Sequence, residues 1–257
     1  MSAIKTTLIT NVFNEEYLLP FWLEHHKNMF DELIIIDYNS TDKSMEICKR
    51  IWPECIIRKS RTTYFGVNEN DEELMNIENN IQGIKIVLNT TEFLFCEKSI
   101  NDIFINNIEP ASYTIIAVSP YSQHSYNINN SYELFTNLLN DDVVYHHDRG
   151  VRHIHNFPNG RYQEGRHGTY NIHTPTMKAY IIWFGFYPMN DDLMKRKLQI
   201  QQNMTQHDKD RGAGAQHFFS KDKLLNINNE KSNSGSSLKN ISSSLYDLLC
   251  KNIKQII

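Results

Sequence analysis

The sequence predicts a single α/β domain built on one Rossmann-like, mainly parallel sheet flanked by helices. Short apolar, β-branched segments typical of buried strands alternate with segments whose apolar residues recur at helical spacing. This alternation indicates βαβ units, and 257 residues suffice for one substantial core. The predicted strands cover residues 6–13, 33–36, 55–58, 84–88 and 113–118, and the predicted helices cover 17–29, 45–51, 71–81 and 191–204.

The first βα unit illustrates the reasoning. Residues 6–13 are apolar and β-branched, and the polar run NEE ends the predicted strand abruptly. The helix that follows tolerates Pro20 because this residue falls in the first turn. Residues 33–36 read LIII and predict a second buried strand, after which Ser40 or Thr41 can cap the next helix.

The later elements are predicted in the same way. An acidic helical stretch at 71–81 leads into the fourth strand, and another strand is expected at 113–118. The chain then becomes rich in His, Asn, Tyr and Gly, and clear helical spacing returns only at 191–204. Because ligands bind at the carboxyl ends of parallel strands, the polar residues after each strand are the site candidates.

Acidic and amide side chains follow the first two predicted strands. Asn14 and Glu15 come after the first strand, and Asp37, Asn39 and Asp42 come after the second. A carboxylate at the carboxyl end of a strand can accept hydrogen bonds from a ribose hydroxyl or a base N–H. The alternative is that these residues only form turns and helix caps, as Asp and Asn often do.

Three motifs in this part of the chain carry a resemblance to a known family. They read NVFNEE at 11–16, LPFWLEHH at 19–26 and IDYNSTD at 36–42, and together they resemble the family-2-like glycosyltransferases of GT-A fold. The resemblance covers the N-terminal part of the chain well and the rest sparsely. It implies a GT-A-like fold and the transfer of a sugar, with inversion, from a nucleotide diphosphate sugar to a hydroxyl acceptor.

The same resemblance assigns roles to the polar residues. It implies that Asn14, Glu15 and Asp37 contact the nucleoside and that the turn from Asn39 to Asp42 shapes the floor of the pocket. It favours a UDP-sugar as the donor, and a glycan or a protein as the acceptor.

The metal motif of the family is degenerate in this chain. Members of the family usually carry D-x-D-E-F after the fourth strand, whereas residues 89–93 read NTTEF. The resemblance predicts Mn²⁺ or Mg²⁺ at Asn89, Thr91 and Glu92, with His217 as a further ligand. Neutral amide and hydroxyl oxygens are weak ligands for hard cations, so we expect weak binding. The alternative is that this segment is a strand end without a catalytic role.

The segment WFGFYPMNDDLMKRKLQIQ at 183–201 is similar to a second conserved segment of the same glycosyltransferases. The resemblance makes Asp191, then Asp192, the candidate general base toward the acceptor, and Asp208 is a more distant candidate. The alternative is that these acids only stabilise the start of the helix. Phosphate or acceptor contacts are expected from Trp183, Arg196 and Arg211.

The C-terminal region predicts a boundary. We expect the GT-A-like domain to occupy residues 1–225, followed by a flexible linker at 226–244. The linker prediction rests on an Asn-, Ser- and Lys-rich composition without apolar periodicity. Residues 245–257 predict an amphipathic helix that packs on the domain or on a partner.

Composition excludes other partners. The net charge of −4 and the pI near 6.3 give no field that would gather nucleic acid. No apolar run reaches the roughly 18 residues that a membrane span requires, and the first residues do not resemble a signal peptide. The glycosylation sequons at 39–41 and 89–91 lie in the predicted site, where glycans would block binding. We therefore expect a cytoplasmic protein.

Two functions remain open at this point. The first is an active glycosyltransferase, and the second is a non-catalytic relative that binds a nucleotide sugar or a glycan. A dehydrogenase or methyltransferase is disfavoured because no glycine-rich turn follows the first strand. The sequence leaves a homo-oligomer open.

Overall fold

The computed structural model describes residues 4–104, 109–174 and 178–256. The strands in these ranges are β1 (Thr6–Val12), β2 (Glu32–Asp37), β3 (Ile56–Lys59), β4 (Ile84–Val87), β5 (Glu92–Cys96), β6 (Ser112–Tyr121), β7 (Val144–His146), β8 (Arg152–His155), β9 (His173–Thr174) and β10 (Ala179–Trp183). The α-helices are α1 (Leu19–His26), α2 (Ser44–Ile51), α3 (Val67–Glu78), α4 (Ile100–Phe104), α5 (Ser131–Asn137), α6 (Asp191–Gln199), α7 (Gln206–Asp210), α8 (Lys221–Ser232), α9 (Leu238–Ile241) and α10 (Ser243–Ile256). Short 3₁₀ helices lie at Glu164–Arg166, Ile200–Asn203 and Ala215–Phe218.

The strands form one sheet in the order β3-β2-β1-β4-β8-β6-β10-β5, and β7 and β9 also pair with β6. The first four strands in this order are parallel to one another. Antiparallel pairs join β8 to β4 and β6, and β5 to β10. The predicted α/β class, with a single mainly parallel sheet between helices, is confirmed.

Helices cover both faces of the N-terminal half of the sheet. Successive residues of a strand point to opposite faces, so neighbouring residues of β1 belong to different apolar clusters. Leu8 of β1 belongs to a cluster with Trp22 of α1 and Ile47 of α2. Its neighbour Ile9 belongs to a different cluster, with Leu74 of α3. The two-sided burial explains why β2 contains the continuous apolar run LIII and why β1 is a run of apolar and β-branched residues, which are the signals that predicted them.

This arrangement creates a switch point at the carboxyl ends of β1 and β4. The chain runs from β1 to β2 and β3 on one side, and α3 then returns it to β4 on the other side of β1. Where the strand order reverses, the following loops diverge and leave a crevice in which α/β proteins bind ligands. The fold therefore places the candidate site beyond the ends of these two strands.

The structure differs from the predicted flexible linker at 226–244. Helix α8 extends to Ser232, and Asn228 is buried with its Nδ2 donating to the Ser122 carbonyl at 2.8 Å. Leu238 of α9 is also buried in the main core. Composition does not reveal this order, because single residues such as Asn228 and Leu238 anchor the segment and leave no apolar periodicity in the sequence. The domain boundary at residue 225 stays a prediction.

Helix α10 is amphipathic, as predicted, and its apolar face belongs to the main core. Leu249 is fully buried in the cluster that also contains the β5 and α5 side chains, whereas Ile256 on the same helix is 41% exposed. Of the two partners expected for this helix, the domain itself or another protein, the domain is the one that its buried apolar face contacts here. None of the helices in the described ranges is long and apolar enough to cross a membrane.

We expect Leu249→Ala to lower the free energy of unfolding by about 2–4 kcal/mol, because it removes buried methyl groups and leaves a cavity in the core. Denaturant titration followed by circular dichroism measures the change. Ile256→Ala is the matched control on the same helix, and its exposed side chain predicts a change within about 0.5 kcal/mol. Equal small effects for both variants would show that α10 lies outside the cooperative core.

Candidate functional site

A cavity of about 460 Å³ lies at the switch point, beyond the ends of β1 and β4. We call it the main cavity. Its wall is built from the end of β1, the start of α3, the residues after β4, the 164–167 segment, α6 with the 3₁₀ turn after it, and the 212–217 loop. Its aromatic and polar lining includes Phe13, Glu15, Phe65, Asp71, Asn89, Arg149, Glu164, Arg166, His167, Arg196 and His217.

One side of the main cavity is aromatic. Phe65 stacks on Tyr38 with ring centroids 4.4 Å apart and an interplanar angle of 15°. Phe13 meets Phe65 edge to face at 5.9 Å. Phe13 and Phe65 both line the cavity, and packing among the three rings fixes their orientation. The result is a rigid apolar surface suited to a flat ring.

The other side contains buried arginines. Glu92 is 1% exposed, and its Oε1 accepts from Nη2 of Arg152 at 2.6 Å and from Nη2 of Arg149 at 3.2 Å. Nε of Arg152 donates to the second carboxylate oxygen at 3.0 Å. Although burial raises the pKa of Glu92, Arg152 and Arg149 hold it at about 2. The Glu92 carboxylate is thus a counter-ion for two guanidinium groups.

A third arginine completes what we call the arginine cluster: Arg149, Arg152 and Arg166. Arg166 donates from Nη1 to Asp71 at 2.8 Å and from Nη2 to Oδ1 of Asn89 at 2.8 Å. The backbone of Arg166 has a φ of 62°, which is uncommon for a residue with a Cβ. Because Gly165 also donates its N–H to Asp71, this carboxylate holds the loop in its left-handed conformation.

A carboxylate–arginine pair separates the main cavity from its neighbour. Glu15 is buried, and Nη2 of Arg196 on α6 donates to its Oε1 at 2.7 Å. Beyond this pair lies a second cavity of about 410 Å³. Arg196 lines both cavities, and the second cavity is also lined by Asn14, Asp42 and Asp192.

Among the predicted nucleotide contacts, Glu15 is the one that lines the main cavity. Asp37 accepts the N–H of Ser40 at 2.9 Å, and Asn39 is exposed with a φ of 61°. Oδ1 of Asn14 accepts the N–H of Thr41 at 2.7 Å. These contacts match the alternative reading, in which the polar residues shape turns. A direct nucleotide contact of Asp37 or Asn39 therefore stays a prediction without support from the cavity.

Asp42 has a similar local role. Its Oδ1 accepts the N–H of Ser44 at 2.9 Å, at the start of α2, and its Oδ2 accepts the N–H of Glu16 at 3.0 Å. The carboxylate thus ties the first turn of α2 to the loop that follows β1. Asp42 lines the second cavity and not the main one, so any further hydrogen bond that its carboxylate accepts would come from the second cavity.

The predicted metal ligands do not offer a divalent cation a suitable set of donors. Both oxygens of Glu92 accept from arginines, and Oδ1 of Asn89 accepts from Arg166. Thr91 is buried and does not line the main cavity, and His217 lies on the separate 212–217 loop. Within the described ranges no three His, Cys, Asp or Glu side chains are grouped so that they could hold a metal. The residues present do not fit Mn²⁺ or Mg²⁺.

The acids proposed as bases lie outside the main cavity. Asp191 and Asp192 are exposed in the first turn of α6, and only Asp192 faces the second cavity. Asp208 is buried, and its oxygens accept from Arg211 at 2.8 Å and from the N–H of Val67 at 3.0 Å. Asp208 is therefore bound to structural partners, which argues against its use as a base.

The predicted phosphate or acceptor residues have different surroundings. Arg211 pairs with Glu164 at 2.6 Å as well as with Asp208, so its charge is used at the rim of the main cavity. The Arg149 guanidinium lies over the Trp183 ring, with its Cζ 4.6 Å from the ring centroid. Arg196 lies between the two cavities, as described above.

Several residues that build the site were not predicted from the sequence. They are Phe13 and Phe65 on the aromatic side, and Arg149, Arg152 and Asp71 on the charged side. A partial signal existed for Arg166, because the flanking glycines of the GRHG motif at 165–168 indicate an unusual backbone.

No family model and no curated protein matches the chain. Solved structures that resemble it include S. aureus TarS residues 1–349 bound to UDP-GlcNAc. The identity is 14%, the match covers 87% of this chain and 76% of that chain, and the TM-score is 0.38. Another is glucosyl-3-phosphoglycerate synthase from Mycobacterium tuberculosis with Mn²⁺, UDP and glucosyl-3-phosphoglycerate, with 16% identity, 35% and 34% coverage, and a TM-score of 0.29. The alignments span about a third of that synthase and 39% of TarS in a further TarS structure. Likenesses of this size carry no conclusion about function.

Proposed function

We propose that the chain is a nucleotide-sugar-dependent glycosyltransferase whose donor binds in the main cavity. The observation that carries the proposal is that one cavity joins the aromatic side, Phe13 and Phe65, to Arg149 and Arg166 of the arginine cluster. A nucleobase packs on aromatic rings, and a diphosphate is recognised by guanidinium groups. Small-ligand pockets usually measure roughly 300–1,000 Å³, and the cavity lies within this range.

The proposal gives the second cavity to the acceptor, a hydroxyl of a glycan or a protein. It adjoins the main cavity through Arg196, so a donor and an acceptor could meet at this side chain. Asp192 is then the preferred general base because it lines the second cavity, and Asp191 is the alternative. In that role the carboxylate takes the proton of the acceptor hydroxyl as the bond to the sugar forms.

The cation suggested by the sequence resemblance, Mn²⁺ or Mg²⁺, has no assigned role in this proposal. Its candidate ligands Glu92 and Asn89 are already engaged by arginines. Adding and removing the metal in the binding experiments below tests this choice directly.

A second candidate function is binding of a nucleotide sugar without turnover. Two observations favour it: the acids of the metal motif are absent at positions 89 and 91, and Asp191 and Asp192 do not line the main cavity. Both candidates share the nucleotide site and differ only in chemistry. Release of UDP from UDP-glucose or UDP-GlcNAc, with glycan acceptors added, separates them, and Asp192→Asn should reduce any turnover more than Asp191→Asn.

We expect UDP to bind and Phe65→Ala to weaken this binding about 5- to 100-fold, since stacking of a base on an aromatic ring contributes roughly 1–3 kcal/mol. Isothermal titration calorimetry measures both affinities. Tyr64→Ala is the matched control, because Tyr64 is adjacent in sequence, 40% exposed and not part of the cavity wall. A folded Phe65→Ala variant with unchanged affinity would remove the aromatic side from the proposed base site.

A further inference from the structure

We propose that the arginine cluster, with Arg149 as its main contributor, binds the diphosphate of the ligand directly and takes the place of a divalent cation. The identity of the anion as part of a nucleotide rests on the function proposed above. The anion site itself rests on the pairing of charges, the unused donors and the surroundings of the cluster.

The pairing of charges leaves one arginine in excess. Asp71 pairs with Arg166, Glu15 pairs with Arg196, and Glu164 pairs with Arg211 outside the cluster. Arg149 and Arg152 share the single carboxylate of Glu92. The three arginines of the cluster therefore share two carboxylates, which leaves one positive charge within the cluster for a ligand. Outside the cluster, Arg211 is shared between Glu164 and Asp208.

A cation at the metal-motif position would have to break this arrangement. Arg152 has a side chain only 2% exposed, and Glu92 neutralises it through two hydrogen bonds. Coordination of a metal by Glu92 would leave the Arg152 charge buried without a counter-ion, which costs several kcal/mol. An anion that approaches Arg149 keeps the Glu92–Arg152 pair intact.

Two donors in the cluster have no partner. Within the described ranges, Nε of Arg149 and Nε of Arg166 are buried and make no hydrogen bond. Arg166 is 5% exposed, so water does not readily satisfy its donor. Buried donors without partners are rare, and a bound anion would supply acceptors to both side chains, which line the same cavity.

Two further basic side chains lie close to the cluster, Lys197 and His217. Lys197 is buried, its Nζ donates to the Gly185 carbonyl at 2.7 Å, and no described carboxylate forms an ion pair with it. Burial, followed by Arg196 and Arg149, lowers its pKa to about 7. Burial, followed by Lys197 and the same arginines, lowers the pKa of His217 to about 4. Because the positive charge of Arg149 contributes to lowering both pKa values, an anion bound at the cluster would raise them.

The test uses inorganic pyrophosphate and UDP as separate probes, titrated into the full chain by calorimetry in EDTA and then with Mg²⁺ or Mn²⁺. We expect both probes to bind in EDTA and Arg149→Gln to weaken pyrophosphate binding at least about tenfold, as for loss of a charge-assisted hydrogen bond. Arg50→Gln, an exposed substitution on α2, is the matched control and should leave affinity unchanged.

The outcomes separate the two proposals. Binding of pyrophosphate and UDP only when metal is present would overturn the arginine site and leave the nucleotide proposal standing. Binding of pyrophosphate in EDTA that depends on Arg149, without any binding of UDP, would support the anion site and overturn the nucleotide proposal. If Arg149→Gln does not fold, Arg149→Lys and the salt dependence of wild-type pyrophosphate binding replace it, and affinity insensitive to salt would count against the site.

Discussion

Glu92→Gln is expected to lower the free energy of unfolding by about 3–5 kcal/mol, the usual cost of removing one partner from a buried ion pair. The substitution leaves Arg152 buried without a counter-ion and removes the charge that Arg149 also contacts. Urea titration at neutral pH measures the effect. Since the site is built on this carboxylate, nucleotide binding should be lost together with stability.

Two further variants make this result specific. Glu97→Gln breaks an exposed pair with Lys178, whose side chain is 77% exposed, and should cost less than about 1 kcal/mol. Adding Arg152→Met to Glu92→Gln should restore part of the lost stability, because it removes the unpaired buried charge. A Glu92→Gln variant as stable as the wild type would show that the guanidinium groups reach another counter-ion.

The N-terminal half of the fold was predictable because its signals are local. Strands β1 and β2 are buried on both faces, so β1 is rich in apolar and β-branched residues and β2 contains the apolar run LIII. Helix α1 places Pro20 in its first turn, as predicted. The position of the site also followed from topology, since the main cavity lies beyond the carboxyl ends of β1 and β4.

Strand β8 shows why the second half was harder to predict. Its sequence is RHIH, and all four residues are buried although only Ile154 is apolar. Arg152 pairs with Glu92, 60 residues away in the sequence, and His155 contacts Glu78, 77 residues away. A hydropathy pattern cannot reveal a strand whose burial depends on charge partners that only the folded chain brings together.

The candidate site residues show the same difference between local sequence signals and contacts that form only in the folded chain. The sequence predicts that Asp37, which ends a strand, contacts the ligand. In the structure its Oδ1 accepts the N–H of Ser40, three residues later. Local turn chemistry and ligand binding use the same residue types, so a single sequence does not distinguish them. Glu15 and Arg196 were both predicted, but their mutual pairing at a separation of 181 residues was not.

Two histidines on α1, the buried His26 and the half-buried His25, make the fold sensitive to acid. His25 and His26 on α1 have ring centroids 4.7 Å apart, and both contact the backbone of Leu94 in β5. Nδ1 of His26 donates to the Trp22 carbonyl, and its Nε2 accepts the Leu94 N–H at 3.1 Å. A proton on Nε2 would face that N–H, so the folded state requires a neutral His26.

We expect the free energy of unfolding to fall as the pH drops from about 6.5 toward 4. Burial lowers the pKa of His25 to about 4, and burial together with His25 lowers the pKa of His26 well below its usual range. Below pH 6.5 these histidines therefore bind protons in the unfolded chain but stay neutral in the folded chain. Each one lowers the free energy of unfolding by up to about 1.4 kcal/mol per pH unit. Below about pH 4.5 the depressed pKa of Glu92 adds a loss of the same sign, down to about pH 2.

Urea titrations at a series of pH values measure this dependence, and the slope gives the number of protons taken up on unfolding. His25→Phe removes one titrating group from the aromatic cluster of Phe93, Phe95 and Phe135, and should make the slope between pH 6.5 and 4 shallower by up to one proton. His147→Gln, at an exposed position, is the control and should leave the slope as in the wild type. A stability that stays flat from pH 7 to 4.5 would show that these histidines accept protons in the folded state, against the hydrogen bonds that hold α1 to β5.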